Sequence, residues 1–535
     1  MKFLFASLFL GLTLSAQAET SRYWVHFKDK GSQDISEAQS ALSDRALFRR
    51  MKNSVSLNEG DIPVSQSYIN ELETSGVRVR AVSKWLNAAS IEATPELAEQ
   101  ILGLNFVQSV EPFRLRRAER NLRSESAALD TLPYGSSWIQ NQLCGIPELH
   151  ERGLSGEGVL LCMLDTGFRT SHNALSDLDI VATRDFIFGD SVVHNEAGQD
   201  SFGQHLHGTA VLSACAGYTD SMLIGPAFGV SVMLAKTEWT EDETQVEEDY
   251  YVAALEWADS AGADLTSSSL GYLDWYTQDQ MDGHSAVTTL AVLEATRRGI
   301  LVVSAAGNER ESEWGTIISP ADADSILAIG GTDSLGVLST FSSPGPSADG
   351  RIKPDCAAMA TEVLGANGMT DEDYWRLSGT SLATPIVAGV CALIMEAHPE
   401  WTAQQVRQAI LRTASQTDMP DNDLGYGVVN GPAAADYIFD STQDSPLFPS
   451  LIQLSAFPNP VNGYVTIKLT LPAGQDGSLV LYDLLGREAL KTSQAEYSVG
   501  AHEMSISIES LASGKYFAQF IGEQRSATIP IIVIK

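Results

Sequence analysis

Cysteine is scarce: five residues in 535, at positions 144, 162, 215, 356 and 391. An odd number leaves at least one thiol unpaired, and no Cys-x-x-Cys or Cys/His spacing suits zinc, so neither a disulfide-stapled scaffold nor a zinc module fits. Cys162, Cys215 and Cys391 each fall inside an apolar stretch, where a thiol serves as a small buried hydrophobe. Positive charge is also short. Lys and Arg number 34 against 68 Asp and Glu, a net charge of −34, which argues against nucleic acid as a partner. Long hydrophobic runs are missing beyond the first residues, and no later stretch reads as a membrane-spanning segment or transmembrane anchor. At the start, Lys2, an apolar run from Phe3 to Leu14 and Ala16-Gln-Ala18 make a signal peptide over 1–18 and predict export.

The remaining chain is 44% hydrophobic overall and too long for one ordinary domain, so several cores are expected. One stretch organises it: Ser378-Gly-Thr-Ser381-Leu-Ala-Thr-Pro385, continuing as Ile-Val-Ala-Gly-Val-Cys-Ala-Leu-Ile-Met. The small and apolar residues suit a buried helix, and Pro385 is expected in its first turn. A hydroxyl at Ser381 then lies beside unsatisfied backbone N–H groups at the positive end of the helix dipole. The plainer alternative is that Ser381 or Thr380 only caps the helix.

A serine hydroxyl needs a base, and that base needs a group to orient it. Asp165 ends the apolar run Gly158-Val-Leu-Leu-Cys-Met-Leu164, followed by Thr-Gly167, and His207 opens the helical pattern Gly208 to Gly217. Val303-Ser-Ala-Ala-Gly-Asn308 is an apolar strand running into a turn that displays an amide, the kind of donor a tetrahedral oxyanion requires. The chain order is Asp, His, Ser. Short apolar runs alternate with helical patterns such as 246–261, which predicts an α/β fold with a mostly parallel sheet and helices on both faces. Asp165 and Asn308 fall at carboxyl ends of strands, where sites in such sheets collect.

These four blocks resemble those of the subtilisin-like serine peptidases, or subtilases, with further matches in Ser268-Ser-Leu-Gly271, Phe341-Ser-Ser-Pro-Gly-Pro346 and Arg351-Ile-Lys-Pro-Asp355. The resemblance covers 133–440 and implies a secreted serine endopeptidase. It implies that Asp165, His207 and Ser381 are catalytic and that Asn308 holds the oxyanion. It also implies that Ser269, Leu270 and Gly271, with Ala305, Ala306 and Gly307, line the substrate cleft. Small residues there suggest room for a large apolar side chain before the scissile bond. The family pattern His-Gly-Thr selects His207 over the nearby His205, with His172 and His194 structural. The usual second histidine after that pattern is replaced by Ala210. Protein or peptide substrates are the expected partners and no cofactor is expected. Subtilases often bind structural calcium, but no ligands can be assigned here: the acidic run 238–249 does not fit an EF-hand loop. Glu247, Glu248 and Asp249 instead suit a helix's first turn, where carboxylates favour the dipole.

Other readings are weaker. An aspartic peptidase needs two carboxylates sharing a proton, and Asp165 lies in the sole Asp-Thr-Gly, with no Asp-Ser-Gly. A lipase elbow needs glycine two residues after the serine, where this chain has Ala383. A non-catalytic adhesin or binding protein on the same fold is the remaining alternative.

Before the peptidase region, 19–123 reads as a small α+β pro-segment with a basic linker. Tyr23 to Phe27 and Leu86 to Glu92 suit strands, and Thr94-Pro-Glu96 starts a helix. Five arginines between Arg114 and Arg123 mark an exposed place for cleavage. After a polar linker over 441–456, residues 457–535 read as a small β-sandwich. It resembles the carboxy-terminal sorting domain of the type IX secretion system of Bacteroidetes-type bacteria, with Leu481-Tyr-Asp-Leu-Leu-Gly-Arg487, Leu511-Ala-Ser-Gly-Lys-Tyr516 and Lys535 carrying the match. That resemblance implies the type IX machinery as a partner and a secreted or surface location; a carbohydrate- or matrix-binding module is the competing reading.

Overall fold

Apolar strands that alternate with helices must be covered on both faces, and the computed structural model shows how this chain does it. It describes residues 21–31, 35–53, 55–112, 134–241, 244–439 and, with short breaks, 453–535. The signal peptide, the basic run at 114–123 and most of the 441–456 linker lie outside the described residues.

Seven parallel strands form the central sheet. From edge to edge they are Cys356–Met359, Leu327–Thr332, Leu301–Ala305, Leu265–Ser268, Leu160–Asp165, Ser231–Lys236 and Asp179–Asp185. Side chains of a strand alternate between faces. Leu161 and Met163 therefore enter one core with the helices Leu206–Ala216, Thr380–Ala397 and Ala403–Thr413. Leu160, Cys162 and Leu164 enter the other, against Val246–Ala261 and Val287–Arg297. All five cysteines are buried and unpaired.

The helix Thr380–Ala397 departs from expectation in two ways. By length and composition it could cross a membrane, yet 83% of it is buried inside the protein; apolar residues all round it are covered by the sheet and by the helix Leu206–Ala216. Pro385 is not in the first turn but is the sixth residue of the helix. A proline there removes the amide that would have bonded the carbonyl four residues back, that of Ser381. The Ser269 hydroxyl donates to that carbonyl instead, at 2.7 Å.

The pro-segment region is an antiparallel sheet in the order Arg78–Ser83, Ala88–Ala93, Ser21–Phe27, Val107–Pro112, with helices packed on it. Thr94 caps the helix Pro95–Leu102. The unit docks on Val246–Ala261 of the peptidase region, with Trp85 inserted into that region's core. Glu256 accepts from the Ser83 hydroxyl at 2.7 Å and the Trp85 amide at 3.1 Å. Beside it lies a fully buried ionic cluster. Asp259 receives Arg49 and, at 2.7 Å, Arg50; Asp61 receives Arg50 at 2.8 Å and Arg298 at 3.0 Å. None of these five side chains is more than 2% exposed.

Glu247, Glu248 and Asp249 do occupy a first helical turn, but all three are buried. Glu247 accepts the Trp239 and Thr244 amides. Burial pushes the Glu248 carboxyl up to about 8 although the Tyr276 hydroxyl and Trp275 indole donate to it. The expected first turn is there, and it is packed inside the protein.

The carboxy-terminal unit is two antiparallel sheets closed over one apolar core. The strands Tyr464–Leu471 and Gly500–Ser507 pair in one sheet, and Gln475–Tyr482, Gly514–Gly522 and Ser526–Val533 in the other. Residues 453–456, expected as linker, belong to the strand Gln453–Phe457, which pairs with Tyr464–Leu471. Leu454 and Ala456 alternate toward the core, which is why this polar-looking stretch is ordered as sheet.

Removing one partner from a buried charge cluster leaves the others uncompensated. Asp259→Ala strands Arg49 and leaves Arg50 with Asp61 alone, and should lower the stability of the intact chain by about 3–5 kcal/mol. Urea unfolding of the uncleaved protein measures this; a loss under about 1 kcal/mol would mean that water solvates the cluster.

Candidate active site

Asp165 closes the strand Leu160–Asp165 and is fully buried. Its Oδ1 accepts from the Thr166 amide at 2.7 Å, the Thr166 hydroxyl at 3.1 Å and His207 Nδ1 at 2.7 Å. Its Oδ2 is buried and has no hydrogen-bond partner among the described residues. A carboxylate can only accept, so the proton lies on His207 Nδ1 and Nε2 is left as the free base. The imidazole reaches this carboxylate because residue 208 is glycine: a β-carbon there would overlap the Gly167 carbonyl and sit 3.0 Å from Asp165 Oδ1. The His207 side chain keeps 19% exposure.

Ser381 is the second residue of its helix, with Gly379, which has no side chain, at the N-cap. Its hydroxyl is therefore not a cap. It points at the Ser269 carbonyl, 3.3 Å away, while the Ser269 hydroxyl returns the bond to Ser381 as described. Among the described residues no hydrogen bond joins Ser381 to His207, although their helices pack together. The Ser381 amide has no intrahelical acceptor, being in the first turn.

Asn308 follows the strand Leu301–Ala305 at its carboxyl end and is exposed. Its Oδ1 accepts from the Thr380 amide at 2.9 Å and the Thr380 hydroxyl at 3.1 Å. Those donors fix which way the amide faces, leaving Nδ2 as a donor beside the first turn of the Ser381 helix.

Ser269, Leu270 and Gly271 follow one strand and Ala305, Ala306 and Gly307 finish the next, so the two candidate lining segments are neighbours. The room expected between them is taken. Ile318 Cδ1 is close enough to overlap a β-carbon on Gly271, and lies 3.1 Å from where one on Gly307 would be. A cavity of about 540 Å³ lies elsewhere, beside Arg169, His194, Phe202 and His205, and none of the six lining residues borders it.

Two nearby histidines are held by hydrogen bonds of their own. His205 accepts from the Asn195 amide at 3.0 Å and donates to the Gly368 carbonyl at 2.9 Å; burial pushes it below the usual imidazole range. His172 is buried between Ala174 and Asp373. His194 borders the cavity. Sequence reasoning missed Thr380 as the group that orients Asn308, and it missed Ile318. The bond from Ser269 could have been anticipated, since Pro385 four residues after Ser381 announces an unpaired carbonyl.

Comparison with known proteins agrees with this geometry. Residues 156–427 match the subtilase family, 22–128 match the peptidase S8 propeptide domain of Bacteroidota, and 455–535 match a secretion-system C-terminal sorting domain. The chain is 33% identical to Subtilisin Savinase of Lederbergia lenta over 305 residues, 57% of this chain and 98% of that protein. It is 33% identical to M-protease of Shouchella clausii over 306 residues, covering 57% and 70%. With Subtilisin E of Bacillus subtilis it shares 29% over 368 residues, covering 68% and 84%. A parallel sheet carrying Asp165 and Asn308 at its carboxyl edge, a propeptide in front and a sorting domain behind identify a secreted serine peptidase made as a zymogen: the chain belongs to the subtilase family.

Proposed function

We propose that this peptidase is an endopeptidase that cleaves through Ser381, His207 and Asp165, with Asn308 and the Ser381 amide binding the oxyanion. The observation that carries the reading is the 2.7 Å bond from His207 Nδ1 to buried Asp165, which leaves Nε2 bare beside the helix that bears Ser381. Ser381 Oγ rotates from the Ser269 carbonyl toward His207 and attacks the peptide carbonyl carbon as Nε2 takes its proton. The carbonyl oxygen, now negative, is met by Asn308 Nδ2 and the Ser381 N–H at the positive end of the helix. Nε2 then gives the proton to the leaving amine, and water repeats the cycle on the acyl-enzyme. Asp165 keeps its charge throughout.

The domain boundaries are part of the proposal: leader 1–18, pro-segment to 123, peptidase 133–440 and sorting unit from 457, or from 453 with its first strand included. In this reading the pro-segment is removed by the enzyme itself, and the type IX machinery recognises the final unit.

Ser381→Ala should abolish peptidase activity and leave a precursor that keeps its pro-segment, when made in a host lacking other peptidases. Gel mobility and peptide hydrolysis read this; normal processing would refute self-cleavage, and residual hydrolysis at the parent rate would refute the nucleophile.

Asn308→Ala should lower kcat by about 100- to 1,000-fold, the range a subtilisin shows on losing one such donor, with little change in KM. Unchanged kcat with a lowered Tm would make Asn308 only a turn residue.

Deleting 453–535 should leave peptidase activity on small peptides while holding the enzyme in the periplasm of a type IX-competent host. Fractionation checks this. Normal release of the truncated enzyme would refute sorting and favour a binding module.

A further inference from the structure

Resting on the cleft proposed above, a narrower question is which side chain the enzyme accepts just before the scissile bond. With the reacting carbonyl held between Ser381 Oγ and Asn308 Nδ2, the α-carbon on its acyl side is one bond away. The side chain on that carbon must enter between the two segments that converge there. One is Ser269 to Gly271, tied to Ser381 through the reciprocal Ser269 bonds. The other is Ala305 to Gly307, which leads directly into Asn308. Each segment ends in a buried glycine, so the slot between them is open to whatever a third segment places in it.

That third segment is Ile317 to Ser319. It is stitched to both walls by backbone bonds: the Ile318 amide donates to the Ala306 carbonyl at 3.3 Å, and Ser319 exchanges bonds with Tyr272 at 2.8 and 3.2 Å. Held this way, the backbone of residue 318 cannot move away without breaking the pairing. Its Cδ1 spans the slot, close enough to overlap a β-carbon on Gly271 and 3.1 Å from where one on Gly307 would be, while its Cγ1 stands 3.1 Å from the latter as well. Only 6% of its surface is exposed. A β-branched side chain has few rotamers, which further fixes the tip in place.

We propose that Ile318 is a specificity-determining residue that fills this slot, so that the enzyme cleaves after glycine, alanine and serine and rejects leucine, phenylalanine and tyrosine. The glycines make a slot wide enough for a large residue, and the isoleucine removes its depth. A ring or branched chain entering it would meet a packed methyl group. Overpacking of this kind forces either a displaced backbone or a mispositioned carbonyl, and a misplaced carbonyl costs rate.

The test uses the processed enzyme and peptides that differ only in the residue before the scissile bond, alanine against phenylalanine. The parent should show kcat/KM for alanine at least about 100-fold above that for phenylalanine, and Ile318→Gly should reverse or abolish that preference. Ile318→Ala should fall between them, and serves where the glycine variant is poorly folded. Equal kcat/KM for both peptides in the parent would overturn the proposal. So would an alanine preference that persists in both variants while Ser381 is still stoichiometrically labelled by a sulfonyl fluoride. Failure of the underlying site would look different, as peptide hydrolysis that survives Ser381→Ala.

Discussion

Seven strands that all run one way impose a single reactive edge on this protein. Because neighbouring strands are parallel, their carboxyl ends lie side by side, and residues distant in sequence arrive together without any dedicated contact between them. Asp165, Ser269 and Asn308 come from the ends of three successive strands in the sheet order. The histidine and serine then need only two helices whose first turns face that edge. Close approach is what makes this work. Gly208 lets one helix touch the aspartate strand, and the buried small residues of Thr380–Ala397 let the other lie across the sheet.

The same economy explains why Pro385 sits where it does. The first turn of the helix that carries Ser381 is a weak point, since it has few internal bonds. Pro385 weakens it further by removing the amide partner of Ser381, and the Ser269 hydroxyl replaces that amide with a side chain from the cleft wall. The Ser381 backbone is thereby anchored to the segment that follows the strand Leu265–Ser268 rather than to its own helix. Asn308 is anchored in turn to Thr380. Ser381, Asn308 and Ser269 form one connected unit, so displacement of any of them disturbs the geometry of all.

Much of this was legible in the chain. Apolar runs ending in Asp165 and in Ala-Ala-Gly-Asn308 announce strands with functional tips, and the buried helix after Ser381 is plain from its composition. The opaque parts are those in which tertiary partners override local pattern. Glu247 to Asp249 read correctly as a first helical turn, but their burial was not legible, because they are covered by aromatic residues and by the pro-segment, neither near in sequence. Small residues in the cleft read as an open slot, because nothing local connects Gly271 or Gly307 with Ile318. The expectation that no later helix approaches membrane length failed on Thr380–Ala397, since composition alone cannot separate a helix buried in protein from one buried in lipid.

The pro-segment interface poses a different physical problem, for it must be specific without being permanent. Apolar burial alone would suit permanence. Here Trp85 supplies an apolar anchor, but the contact also holds five charged side chains taken almost wholly out of water. Desolvating them costs much of what their attraction returns, so the cluster adds little net affinity over an apolar equivalent while strongly penalising any misaligned partner. Once the chain is cut, Asp259 and Arg298 stay with the peptidase and can be rehydrated, whereas an exposed apolar patch of the same size would not be relieved by water. A charged contact is therefore the better choice for a segment that must fit its own enzyme closely and then leave it.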